Sequence, residues 1–224
     1  MSDGGAAQVG IVGGTGPAGR ALAARLASVG IDVVVGSRSA ERAASICDEI
    51  CARWPDHGLT LRAAANPEAA DCELVVVATP WDAAAPTATS LASHLAGKVV
   101  VSMGNALAKV DGEFQAVVPP GGSVAIGVQE AVPDARVTAA FHHLPARSLG
   151  DLRHPVVGDV LVCGDDTGAV EVTSDLIRRI PDLRALHAGG LSAAAPVEAL
   201  TAVLVGINAR YKARASIRLL GIDL

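Results

Sequence analysis

A glycine-rich loop near the N-terminus is the first stretch of the chain whose residues could do chemistry. The segment Gly14-Thr15-Gly16-Pro17-Ala18-Gly19 fits the pattern G-x-G-x-x-G. An apolar strand is predicted to end just before it and a helix to begin near Pro17, which is the context in which this pattern binds a dinucleotide. Backbone N–H groups at the helix N-terminus would receive the pyrophosphate. The alternative is a tight turn without a ligand. We predict a dinucleotide site formed by Gly14, Thr15, Gly16, Pro17 and Ala18.

The residues after the second predicted strand indicate which dinucleotide binds. An NAD site usually places an acidic residue about 20 residues beyond the glycines, where it binds the ribose hydroxyls. This chain instead reads Gly36-Ser37-Arg38. Ser37 and Arg38 can donate hydrogen bonds to a 2′-phosphate, and Arg42 lies one helical turn further on. We therefore predict NADP rather than NAD, although the two arginines could also simply lie on a solvated helix start.

Two further strand ends carry candidate cofactor contacts. Thr79, Pro80 and Trp81 stand where the apolar run over residues 72–80 ends, and Ser102 and Met103 end the run over residues 98–102. Open α/β sheets bind their ligands at the carboxyl ends of the strands, so we expect these five residues to flank the dinucleotide. Trp81 could equally pack in the core.

The apolar pattern that positions these residues is typical of an α/β protein. Nearly continuous Val, Ile and Leu runs alternate with helical patterns, as in parallel strands that are buried on both faces. Beyond residue 119 the pattern predicts strands over 136–141 and 156–163, helices over 124–132 and 167–180, and a last helix from Leu191 to about Arg218. We predict a Rossmann-like, doubly wound, mostly parallel sheet. Residues 1–141 would form an NADP-binding domain, and residues 142–224 a smaller lobe packed on it.

Composition excludes several function classes. The chain has 224 residues and a formal net charge of −5, which argues against nonspecific nucleic-acid binding. It has no uninterrupted run of about 18 apolar residues and no basic start followed by an apolar run, so we expect a cytoplasmic protein without membrane attachment. The cysteines form no C-x-x-C pair and no ligand cluster accompanies them, which predicts reduced thiols and no metal site.

Six segments together resemble a known family. The stretches "GGTGPAG", "VVGSRSAER", "VVVATPW", "AAFHHLPA", "VCGDD" and "AGGLSAA" resemble, in order and spacing, the NADPH-dependent reductases of coenzyme F-420 (F420), a 5-deazaflavin. The resemblance covers nearly the whole chain, and "FHHLPA", "VCGDD" and "GGLS" are its most specific parts. It implies that Thr15, Ser37, Arg38 and Arg42 hold the 2′-phosphate. We expect the deazaflavin, as co-substrate, to contact His142, Leu144, Pro145, Ala146 and Leu191.

The resemblance implies a reaction that needs little acid–base machinery. A hydride passes between the nicotinamide and the deazaflavin, so the protein must stack two rings and exclude water. We therefore predict no catalytic residue as such. Two other functions stay open: an NADP-dependent reductase of a small carbonyl or imine, which would need a general acid, and a protein that senses NADP(H) without turnover.

Two features of the C-terminal region predict interactions. From Asp175 onward there are seven Lys and Arg residues against four acidic ones. This excess positive charge could attract the anionic tail of F420, with Arg210, Lys212 and Arg214 as its main carriers, or it could be a solvated surface. Leu200, Val203, Leu204 and Ile207 give the last helix more apolar surface than one core face needs, which predicts a homodimer.

Overall fold

The computed structural model describes residues 8–222 and contains one large sheet, a separate hairpin and flanking helices. The strands are β1 (Val9–Val12), β2 (Val33–Ser37), β3 (Leu61–Ala65), β4 (Leu74–Val77), β5 (Val99–Ser102), β6 (Leu107–Val110), β7 (Glu113–Ala116), β8 (Arg136–Ala139), β9 (Gly158–Gly164) and β10 (Leu183–Gly189). The helices are α1 (Pro17–Ser28), α2 (Ala40–Arg53), α3 (Asn66–Ala70), α4 (Trp81–Ser90), α5 (Ala92–Leu95), α6 (Val124–Ala131), α7 (Ala146–Leu149), α8 (Thr167–Arg178) and α9 (Ala194–Tyr211).

The large sheet has eight strands in the order β10-β9-β8-β5-β4-β1-β2-β3. All neighbouring strands are parallel except β8 and β9, which run antiparallel. The mostly parallel, Rossmann-like sheet that the sequence predicts is therefore confirmed. One sheet includes strands from both sides of residue 141, and the division into a domain and a lobe at that residue stays a prediction.

Two separate apolar cores cover the two faces of the sheet. One core lies under α1, α2 and α8 and contains Leu22, Phe141 and Leu144. The other lies under α4, α6 and α9 and contains Val124 and Leu191. Because parallel strands are buried on both faces, their Val and Ile side chains point alternately into one core and the other.

Local residue chemistry explains the helix starts that matter for the site. Pro17 is the first residue of α1, where its missing N–H leaves no hydrogen bond unmade. Ser39 caps α2, since its hydroxyl oxygen accepts from Arg42 N at 3.3 Å. The last helix is shorter than predicted, because Lys212 takes a left-handed conformation and ends α9 at Tyr211. The pattern also missed the β6–β7 hairpin, α7 and the edge strand β10.

Helix α9 is the most apolar long helix in the described part of the chain. With the turn before it, Leu191–Tyr211 is long and apolar enough to cross a membrane by length and composition only, with a mean hydropathy of 1.5. In the first half of α9, the buried carboxylate of Glu198 accepts hydrogen bonds from Val124 N at 2.9 Å and Ala125 N at 3.1 Å. Its carboxylate thus ties α9 to the N-terminus of α6.

Candidate active site

The three glycines of the loop have different surroundings. A Cβ on Gly14 would lie 2.9 Å from Ile11 O, and one on Gly19 would lie 2.8 Å from the Cα of Gly14, so both positions require glycine for packing. A Cβ on Gly16 would meet nothing closer than Gly13 O at 3.5 Å, which is ordinary contact. Packing within the protein therefore does not explain the second glycine. A ligand that approaches the backbone there would explain it.

The end of β2 presents the predicted 2′-phosphate residues at one place. Ser37 is the last residue of β2 and is 4% exposed, while Arg38 and Arg42 are exposed at the start of α2. Among residues 8–222 neither arginine forms an ion pair with a carboxylate, although both stand where a cation interacts unfavourably with the helix dipole. The structure thus brings Ser37, Arg38 and Arg42 together beside the glycine loop, with two cations available to an anion.

Buried polar groups without partners mark the ends of β4 and β5. Within the described residues, Thr79 Oγ1 and Ser102 Oγ are buried and have no hydrogen-bond partner. Folded proteins satisfy most such groups, because an unpaired buried hydroxyl costs about 1–3 kcal/mol. Both residues are at the carboxyl edge of the sheet. Thr79 follows β4, which pairs with the strand that leads into the glycine loop, and Ser102 ends β5 on the other side of β4. These hydroxyls indicate that a ligand or ordered water completes the site.

The segment after β8 adds two buried histidines to the same edge. Phe141 is fully buried with φ +64°, a strained conformation for a bulky residue, and it turns the chain out of β8. His142 follows at 4% exposure, and neither of its ring nitrogens has a partner within the described part of the chain. His143 Nε2 accepts from Leu161 N at 3.1 Å, which leaves its proton on the unpartnered Nδ1. The two rings meet edge to face, 5.4 Å apart.

Burial keeps both imidazoles neutral. Desolvation, with a smaller contribution from the neighbouring histidine, lowers the pKa of His142 to about 3. Desolvation also lowers the pKa of His143 to about 4. A neutral His142 can donate one hydrogen bond and accept another, which suits the polar edge of a heterocycle better than an anion.

Three polar side chains that the sequence did not single out hold the site together. Asn105 Nδ2 and Thr201 Oγ1 donate to His142 O at 2.8 and 3.4 Å, and Asn66 Oδ1 accepts from Gly13 N at 3.2 Å. The donor and acceptor residues of each of these hydrogen bonds are more than 35 residues apart in sequence. The position of Asn66 directly after β3, at the end of a strand, is the one signal that could have identified it.

The remaining predicted contacts differ in their accessibility. Met103 and Leu144 are each 6% exposed and belong to the core under α1, whereas Trp81 is partly buried against the other core. Pro80 is exposed just before α4, and Pro145 and Ala146 are half-buried at the start of α7. Within residues 8–222 no group of three or more His, Cys, Asp and Glu side chains is placed to hold a metal ion.

Comparison with known proteins agrees with this arrangement. Residues 8–106 match the family model described as NADP oxidoreductase, coenzyme F420-dependent. The F420-dependent NADP reductase of Methanocaldococcus jannaschii is 34% identical over 97% of this chain and 100% of its own length. This chain belongs to the F420-dependent NADP reductase family. The reductase of Methanothermobacter marburgensis is 31% identical over 92% of this chain. A crystal structure described as an F420-dependent NADP reductase, from Arthrobacter sp. FB24, superimposes with a TM-score of 0.77 at 26% identity over 96% of this chain.

The two leucines that are predicted to contact the deazaflavin pack in different cores. Leu191 is 3% exposed and packs in the core under α6 and α9, whereas Leu144 packs in the core on the opposite face of the sheet. A shared apolar wall formed by Leu191 and Leu144 therefore stays a prediction.

Several of the cations that give the C-terminal region its positive charge are paired with acids. Arg178, Arg184 and Arg210 form ion pairs with Asp175, Asp159 and Glu113 respectively. Arg214 lies 3.1 Å from an oxygen of Asp151. Asp159, Glu113 and Asp151 come from other segments of the chain, which the sum of charges from Asp175 onward could not include. These pairs reduce the free positive charge, but Lys212 is exposed and has no carboxylate partner among residues 8–222, so attraction of the F420 tail by this region stays a prediction.

Proposed function

We propose that this chain is an oxidoreductase that transfers a hydride between NADP(H) and the deazaflavin F420. Both substrates appear in the names of its relatives. One observation supports this proposal most strongly. The glycine loop and three buried, unpartnered polar side chains, those of Thr79, Ser102 and His142, converge on the carboxyl edge of one sheet. This edge can hold two heterocycles side by side, and among residues 8–222 no group of three or more His, Cys, Asp and Glu side chains is placed to hold a metal ion.

In this proposal the N-terminal half of the sheet binds NADP(H). Gly14, Thr15, Gly16, Pro17 and Ala18 receive the pyrophosphate at the N-terminus of α1, while Ser37, Arg38 and Arg42 bind the 2′-phosphate. Thr79, Pro80, Trp81, Ser102 and Met103 then line the path toward the nicotinamide. The free cations at the start of α2 support this assignment, because the 2′-phosphate would complete their ion pairs.

The segment after β8 would hold the deazaflavin. His142 offers its free ring nitrogens to the polar edge of the ring system, and Leu144, Pro145 and Ala146 offer an apolar surface. The bound substrates supply the chemistry, a hydride transfer between C4 of the nicotinamide and C5 of the deazaflavin. The protein keeps the rings in register and excludes water. The strained backbone at Phe141 and the two donors to His142 O fix where His142 points.

A His142→Leu variant tests the proposal. Leucine removes two unsatisfied buried nitrogens, so the free energy of unfolding should stay the same or rise. If His142 binds the deazaflavin, its loss should raise KM for F420 about ten- to a hundredfold, with Kd for NADPH unchanged. The assay follows deazaflavin absorbance with NADPH as donor. A wild-type protein that reduces a cyclic imine but not F420 would overturn the proposal, as would one that binds NADPH and reduces neither.

We also propose a homodimer formed through α9 and the β6–β7 hairpin that packs against it. Val203 is 56% exposed, Phe114 45% and Tyr211 77% on these two elements, so they present apolar surface together. Leu200 and Ile207 are half-buried beside them, while Leu204 is buried in the fold. Sedimentation should give a dimer at micromolar concentration for the wild type and a monomer for Val203→Asp. A wild-type monomer would contradict this.

Helix α9 also bears on where in the cell the protein is found. We propose that the protein is soluble and cytoplasmic, because α9 carries the buried carboxylate of Glu198 in its first half and ends in Arg210 and Tyr211. A charged group at that depth would be costly in a bilayer. Fractionation of cells should recover the protein with the soluble marker, and recovery with membranes would refute the assignment.

A further inference from the structure

A groove beside the proposed active site collects an unusual amount of positive charge. It has a volume of about 550 Å³ and runs between α1, α2 and α7. Five of its lining residues are arginines, and only two are carboxylates: Arg20, Arg53, Arg147, Arg153 and Arg214 against Glu49 and Asp151. The whole chain carries a net charge of −5, so this local excess is the reverse of the average surface.

Part of this charge is free. Arg20 is paired with Glu49, and Asp151 accepts from Arg153 Nε at 2.8 Å and from Arg214 at 3.1 Å. These hydrogen bonds hold the pKa of the Asp151 carboxyl well below its usual range. Among the described residues Arg53 and Arg147 have no carboxylate partner, and both are exposed. The Arg53 guanidinium rests 5.1 Å from the ring centroid of Trp54, which holds it at the groove.

A buried arginine fixes one wall of the groove. Arg25 of α1 is 7% exposed, and its guanidinium donates to four backbone carbonyls, those of Ser148, Leu149, Asp151 and His154, at 2.8–3.1 Å. The segment after α7 is therefore tied to the helix that follows the glycine loop. A wall built in this way is in place before any ligand arrives, which lowers the cost of binding.

One end of the groove borders the segments proposed to hold the two substrates. Pro17, the first residue of α1, and Ala146, in the proposed deazaflavin segment, both line it. A substrate whose ring lies against Leu144 and Ala146 can therefore place a flexible chain in the groove. Arg38 and Arg42, which serve the 2′-phosphate in our proposal, do not line it.

We propose that this groove binds the acidic tail of the deazaflavin substrate, its phosphodiester and glutamate carboxylates, through Arg53 and Arg147. The inference rests on the proposed function, since it names the part of F420 that the groove recognises. Guanidinium groups suit phosphate and carboxylate oxygens, and a channel with one sign of charge also speeds the arrival of an anion. The groove thus takes the role that the sequence suggested for the whole C-terminal region, and Arg214 is the one residue common to both.

The test compares two substrates, F420 and the fragment that keeps the deazaflavin ring and its ribityl chain but lacks the phosphodiester and glutamates. The groove variant carries Arg53→Gln and Arg147→Gln together. Among residues 8–222 neither arginine has a carboxylate partner, so replacing both leaves no carboxylate unpaired. The matched control is Arg62→Gln with Arg178→Gln, two exposed arginines outside the groove with the same change in net charge. KM is measured for both substrates at low and high salt.

The groove variant should raise KM for F420 about five- to thirtyfold at low salt, and less at high salt, relative to KM for the fragment. The control variant should leave the ratio of the two KM values unchanged. An unchanged ratio in the groove variant would overturn the inference, as would an equal change in the control. Failure of the proposed function is distinguishable, because the wild type would then reduce neither F420 nor the fragment.

Discussion

Gly16 gives the sharpest separation between a residue that the ligand requires and one that the fold requires. Gly16→Ala adds one methyl group whose nearest neighbours in the protein are carbonyl oxygens at 3.5 and 3.8 Å, so folding should tolerate it. The backbone at this residue has φ −72° and ψ 165°, which alanine adopts readily. The free energy of unfolding should therefore change by less than about 0.5 kcal/mol.

Gly19→Ala is the matched control, with the same methyl group three residues later. Its Cβ would lie 2.8 Å from the Cα of Gly14 and 3.0 Å from Gly13 O, and backbone atoms cannot move aside cheaply. Overpacking of this kind costs about 1–3 kcal/mol, and the better helix propensity of alanine returns up to about 1 kcal/mol. A net loss of about 1–2 kcal/mol should lower Tm by roughly 2–8 °C.

Binding should show the opposite order of effects. A methyl group on Gly16 keeps the pyrophosphate off the backbone N–H groups, and we expect a loss of about 2–3 kcal/mol of binding free energy, or about a thirty- to 160-fold rise in Kd for NADPH. Titration calorimetry gives Kd, and thermal unfolding of the ligand-free protein gives Tm. If Gly16→Ala bound NADPH normally, or lost as much Tm as Gly19→Ala, the loop would be a structural turn and our reading of it would be wrong.

Three further predictions follow from charges and buried groups. Arg38→Ala should raise Kd for NADPH about ten- to a hundredfold and leave Kd for NADH nearly unchanged, as measured by fluorescence titration. An equal loss of affinity for both cofactors would mean that Arg38 is structural. The pKa values of His142 and His143 are lowered to about 3 and 4, so these two groups take up protons only in the unfolded chain as pH falls from about 6 to 4. Each histidine should therefore lower the free energy of unfolding by about 1.4 kcal/mol per pH unit, as measured by urea unfolding. The His142→Leu variant should halve the contribution of this pair to the pH dependence. Asp159 is fully buried and pairs with Arg184 at 2.7 Å, which lowers the pKa of its carboxyl. The stabilisation from this pair is therefore present above about pH 4 and is lost in acid. Asp159→Asn should lower the free energy of unfolding by about 3 kcal/mol at pH 7, and a loss that did not shrink in acid would refute this.

The parts of the site that could be predicted from the sequence depend on short-range patterns. The glycine spacing, the strand before it and the helix after it lie within a few residues of one another, and so do Ser37, Arg38 and Arg42. Periodic apolar runs also predicted the parallel sheet, because a strand buried on both faces must be apolar almost throughout. These features depend on steric limits and burial, which act residue by residue along the chain.

The features that only the tertiary structure decided involve residues far apart in the chain. Leu144 and Leu191 are both apolar and both follow recognisable motifs, yet they lie on opposite faces of the sheet. Arg25 binds carbonyls more than 120 residues away, and Arg214 pairs with Asp151 across 63 residues. The pairing of arginines with acids depends on which face of the sheet each connecting segment covers. It also depends on the antiparallel pairing of β8 with β9. That choice is made by the packing of whole elements, since no local pattern of residue types records it.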